Sequence, residues 1–188
     1  MRRPAKFVMA SVLLSFVAAA ASAQVIDPFN ASGVVGMAKA GNYAAAEDRL
    51  NLGDSPNMIG ENGAPALTVA IQYGHCDIAT LLLKWHARTD IKDRPGNTAL
   101  MYAAELGNMP CLEALIAAHA DVNAITGQGV TALMKAARSG KVDAVKALIQ
   151  AKADVTATDF TGATALSYAE NARQPRAAAA LRAAGASN

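Results

Sequence analysis

Cysteine is scarce: Cys76 and Cys111 are the only two among 188 residues. So few exclude a small domain held together by a disulfide framework. Aromatic residues make up 5% and charged residues 17%, against 53% hydrophobic residues. Little charge with much Ala, Leu and Val excludes a disordered chain. No cysteine precedes Cys76, which excludes a lipid-modified cysteine near the N-terminus. The uncharged apolar stretch from Phe7 to about Ala21 falls short of the roughly 20 residues a membrane-spanning helix needs. Also missing are a Gly-x-Ser-x-Gly elbow, a phosphate-binding glycine loop and a His-Glu-x-x-His pair. Without such a set the chain is expected not to be an enzyme, and no cofactor is implied.

What is present begins with a targeting pattern. Arg2, Arg3 and Lys6 precede the apolar stretch, and Ala21-Ser22-Ala23 supplies the small residues that a signal peptidase reads. Residues 1–23 therefore read as a secretory signal peptide cut after Ala23. Pro4, Ala5 and Lys6 do not continue a twin-arginine motif, so export in the unfolded state is expected. Cleavage leaves 14 basic residues against 15 acidic ones, a nearly neutral chain. That balance lacks the basic footprint of phosphate binding, so no nucleic acid partner is expected. No stable membrane anchor should remain after cleavage, and the chain is expected in the periplasm, or secreted, as a monomer.

The remainder is periodic. Gly63-Ala-Pro-Ala-Leu67, Gly96-Asn-Thr-Ala-Leu100, Gly129-Val-Thr-Ala-Leu133 and Gly162-Ala-Thr-Ala-Leu166 recur at a step of 33. The glycines at 41, 74, 107 and 140 and the leucines at 82, 115, 148 and 181 keep the same step. A fixed period over most of a chain means stacked supersecondary units, each burying its apolar face on its neighbours. Within a unit, Thr98 stands where a helix N-cap belongs, its hydroxyl expected to take up a free backbone N–H. Gly107 suits a left-handed C-cap. A second helix from about Met109 to Ala118 carries Leu112, Leu115 and Ile116 on one face.

These residues resemble the ankyrin repeat. The match lies in Gly96-Asn-Thr-Ala-Leu-Met101, Ala103-Ala104, Gly107-Asn108, His119-Ala-Asp-Val-Asn123, and in Gly74-His75, Ile78 and Leu81-Leu82-Leu83. The resemblance implies an all-α solenoid in which each repeat is a helix–turn–helix with a β-hairpin loop. Five repeats are expected at about 27–59, 60–92, 93–125, 126–158 and 159–188, the outer two acting as caps. The chain departs from the family in Ala132-Leu133-Met134 and Ala165-Leu166-Ser167, where a histidine is usual. At Arg88 it lacks the aspartate found at Asp121 and Asp154.

The family's use of this fold implies a protein partner, bound through the concave face and hairpin tips. By register the contact residues are expected to be Asn62, Tyr73, Arg94, Asn97, Leu106, Gln128, Arg138 and Phe160. Trp85 ends a second helix and reads equally well as an anchor or as packing. His86 and His119 lie one repeat apart, about 10 Å by helix packing, too far for one metal ion. Asp90 and Asp93 read as solvated turn carboxylates. Cys76 and Cys111, one repeat plus two apart, read first as small apolar residues in the interhelical layer, with a disulfide as the second possibility. If they are redox groups, the chain could instead be a stress-linked envelope scaffold. As a binding module it would be an accessory that protects an envelope enzyme, or an immunity protein against a toxin.

Overall fold

The computed structural model describes residues 33–60 and 63–186. The expected signal peptide lies outside the described residues. Among the described residues ten helices follow in order: α1 (Gly33–Ala40), α2 (Tyr43–Asn51), α3 (Ala66–Gln72), α4 (Cys76–Lys84), α5 (Ala99–Leu106), α6 (Met109–Ala117), α7 (Ala132–Arg138), α8 (Val142–Gln150), α9 (Ala165–Asn171) and α10 (Pro175–Ala183). Among the described residues there are no strands. The expected hairpins reduce to isolated antiparallel bridges, Ile59 with Pro65, Ile125 with Thr131 and Thr158 with Thr164.

Each helix packs on its partner in the pair, and each pair packs on the next in chain order. The odd-numbered helices form one row, α1 against α3, α3 against α5 and so on to α9; the even-numbered helices form a second row from α2 to α10. Small residues make the odd row tight. Ala103, Ala104, Ala136 and Ala137 are all fully buried, where a larger side chain would hold neighbouring helices apart. Leu82, Leu112, Leu115 and Leu148 bury the inner face of the even row beneath them. No helix among the described residues is long and apolar enough to cross a membrane.

Helix starts differ in how they are capped. Thr131 and Thr164 accept N–H groups from Met134 and Ser167 at 3.2 Å, as N-caps should. Pro65 holds the same register position before α3 and has no hydroxyl to cap with. Thr98 does not cap α5: its hydroxyl is buried with no hydrogen-bond partner among the described residues. Gly107 ends α5 in the left-handed region, at φ 70°. His86, His119 and Lys152 also sit there, at φ 60°, 57° and 68°. Their register partners at either end are Gly53 and Gly185, so three side-chain-bearing residues occupy a position that glycine suits better. The two histidines thus shape turns, and among the described residues no group of His, Cys, Asp or Glu could hold a metal ion.

Cys76 and Cys111 are joined in a disulfide between α4 and α6, with their Cα atoms 5.2 Å apart. The bridge, the second of the two expectations for these residues, is the one present. Cα atoms on facing sides of two helices each lie about 2.3 Å off their axes, which brings an axial distance of roughly 10 Å down to about 5 Å. The offset of two residues beyond one repeat puts both on those facing sides.

Candidate inner-face binding site

The C-terminal ends of the odd helices and the loop tips before them carry most of the contact residues expected from sequence. Tyr73 follows α3, Leu106 closes α5 and Arg138 closes α7. Tyr73 and Leu106 are about half exposed and Phe160 is 73% exposed, large apolar surfaces left over by the packing. Lys39 on α1 reaches over the Tyr73 ring, its ammonium 5.7 Å from the centroid.

Arg94, Gly127 and Phe160 hold one register position at the loop tips, each over a glycine of the preceding loop. A Cβ on Gly129 would lie 2.8 Å from Phe160 Cδ1, and one on Gly63 2.6 Å from Arg94 Cγ. Gly129 is also at φ +81°, so glycine there serves both the turn and the seat of the ring. Phe160 N–H donates to the Gln128 carbonyl at 3.0 Å, tying the two tips together. Gln128 and Arg94 are exposed. Asn62 lies outside the described residues.

Asn97 departs from its expected role. It is only 8% exposed, and its amide donates to the Tyr102 hydroxyl at 3.2 Å instead of facing outward. Asp93 is likewise buried, not solvated. It accepts the Tyr102 hydroxyl at 2.6 Å and the Asn97 N–H at 2.7 Å. Asp90 stays exposed and pairs with Arg88 at 2.8 Å, which supplies a partner in the turn that lacks the usual aspartate. Trp85 ends α4 in the other row, in register with exposed Leu52, and does not share a row with Tyr73 and Leu106.

The same Asp–Tyr pairing recurs 66 residues on. Tyr168 donates to Asp159 at 2.8 Å, and Asp159 also accepts from Thr161 N–H, the Thr161 hydroxyl and Ala163 N–H. Those donors, the Thr161 hydroxyl foremost, pull the Asp159 carboxyl down to about 2. Burial, then the hydrogen bond to Asp159 and its charge, pushes the Tyr168 phenol up; burial and Asp93 do the same to Tyr102. Between the two pairs, Glu105 meets Lys135 and Arg138, each at 2.9 Å. Burial works to raise the Glu105 carboxyl, but the hydrogen bonds and charges of the two cations outweigh it and hold the carboxyl below its ordinary value. Lys135 also stands 5.9 Å from the Tyr102 ring centroid.

A polar ladder therefore runs across α5, α7 and α9, and its carboxylates are surrounded by donors. A carboxylate whose lone pairs are already taken up by donors is poorly placed to act as a general base. Beside the last rung lies a cavity of about 390 Å³ lined by Arg138, Asp159, Thr161, Tyr168 and Asn171, among others. The sequence reading missed this ladder. Its signal was the spacing of Asp93 to Tyr102, repeated at Asp159 to Tyr168 two periods later.

The family model described as ankyrin repeats (3 copies) matches residues 35–126 and again 107–188. The chain belongs to the ankyrin repeat family. Ankyrin repeats are in general protein–protein interaction modules and typically non-catalytic binding scaffolds, which implies a protein partner for this chain. Among curated proteins, no relative matches it.

Proposed function

We propose that this ankyrin-repeat chain is exported to the periplasm by residues 1–23 and binds a partner protein there through its inner face and loop tips. In this reading it has five repeats, about 27–59 to 159–188, with the first and last as caps. The observation that carries the reading is the exposure of Tyr73, Leu106 and Phe160 along a face whose packing is complete without them. Exposed aromatic and large apolar side chains rimmed by polar groups suit a protein interface. The partner is an envelope enzyme that the chain protects, or a toxin that it neutralises.

Two experiments test this. Cell fractionation with N-terminal sequencing should find the chain in the periplasm beginning at Gln24; an uncut cytosolic chain contradicts export. Crosslinking in the periplasm should capture a partner that the Tyr73→Ala, Leu106→Ala, Phe160→Ala variant fails to hold. Capture that survives in the variant rejects the face.

The Cys76–Cys111 disulfide favours a second reading, a stress-linked envelope scaffold. Here a peroxide oxidises the two thiols to the disulfide, is itself reduced to water, and a dithiol reductant reverses the step. Alkylation before and after peroxide should then show a reversible change in free thiol. No change in cells removes this reading.

A further inference from the structure

Resting on the inner-face reading, we infer that the partner presents a segment with an apolar centre flanked by carboxylates. The face itself supplies the pattern. Along the row from α1 to α7, the C-terminal turns of the helices carry in order Lys39, Tyr73, Leu106 and Arg138, a cation, an aromatic, an aliphatic and a cation; Tyr73 and Leu106 share one register position, and Lys39 and Arg138 hold the position just before it, which Gln72 and Glu105 fill in the two repeats between. At roughly 10 Å per step, such a row is about 30 Å long, within the span of one bound helix or strand segment.

The charges at its two ends are not balanced from within. Lys39 meets the Tyr73 ring and forms no salt bridge among the described residues. Arg138 shares the single Glu105 carboxylate with Lys135 and uses one guanidinium nitrogen for it, so further N–H groups of its fork remain to bind a carboxylate. The acidic groups of the same face are already occupied. Asp93 and Asp159 are buried and hold hydroxyl and backbone donors, and Glu105 holds two cations. A basic segment would find no open carboxylate among these three, whereas an acidic one meets a cation at each end and apolar surface between. Desolvated opposite charges give such a contact specificity and speed of association.

A random peptide library displayed on phage, selected on the immobilised full chain, tests this. The expected winners carry two apolar residues bracketed by Asp or Glu. Their affinity should fall at least tenfold with Lys39→Glu or with Arg138→Gln, and fall again with added salt. Winners that need Tyr73 and Leu106 but carry no acidic residues, or lose nothing with Lys39→Glu, overturn the charge assignment and leave the face intact. Winners unaffected by Tyr73→Ala with Leu106→Ala overturn the face as well. Concentration-dependent self-association abolished by the same pair makes a second copy the occupant and overturns the inference. Matched helical content and melting of each variant exclude misfolding as the cause.

Discussion

The two helix rows of this molecule meet the same packing demand in different ways. In the odd row, α3 buries every residue from Ala66 to Ile71, and α5 and α7 bury alanines where their neighbours come closest. In the even row, burial is confined to one stripe: Ala46 and Leu50 in α2, and Ala144, Val145 and Leu148 in α8. The odd row coheres by close approach along its whole length. The even row coheres through one stripe, and at α4–α6 it carries a covalent link as well.

Removing the link should have the largest effect. Closing a loop of about 35 residues lowers the entropy of the unfolded chain by about 3–4 kcal/mol in the chain-entropy view. Urea unfolding of the Cys76→Ala, Cys111→Ala variant should show a loss near that size; a loss under about 1 kcal/mol means that the even row holds without help.

Next, Ala136→Leu in α7 should cost up to about 3 kcal/mol by overpacking. Half-buried Ala147→Leu in α8 should change stability by less than about 0.5 kcal/mol. Equal costs would erase the distinction between the rows.

Tyr102→Phe removes a short hydrogen bond to a buried carboxylate and should cost about 1–2 kcal/mol. The second Asp–Tyr rung gives a pH signature. The Asp159 carboxyl falls from 3.8 to about 2 on folding, so its ionised form stabilises the fold above about pH 4. That stabilisation disappears as pH falls through about 2. Asp159→Asn should therefore flatten the stability loss between pH 4 and pH 2; an unchanged acid limb contradicts the rung.

One substitution should give a gain. His119→Gly relieves a left-handed residue in the even-row turns and should add about 0.5–1 kcal/mol, after the extra freedom it gives the unfolded chain. A loss would mean that the imidazole makes a contact worth more than the strain.

The repeat and its helices were legible because they rest on short-range chemistry: a 33-residue step, threonines that cap α7 and α9, and a left-handed glycine after α5. What the sequence obscured depends on neighbours in space. Thr98 has the right type and position, yet its hydroxyl bonds nothing among the described residues, for which the local pattern offers no warning. Asn97 and Asp93 look like solvated turn residues until Tyr102 closes over them. The cysteines meet because of which side of each helix they occupy, a matter of angle that a count of residues between them hides. The left-handed turns were readable after all: His86, His119 and Lys152 stand in register with Gly53 and Gly185.

In the proposed function, Tyr73 and Leu106 serve binding and not folding. Equilibrium unfolding of the Tyr73→Ala, Leu106→Ala variant, beside partner capture by the same protein, tests it most directly. The expected result is a stability change below about 1 kcal/mol together with lost capture. A loss of several kcal/mol, with capture intact in whatever remains folded, would make the two residues part of the stack and contradict it.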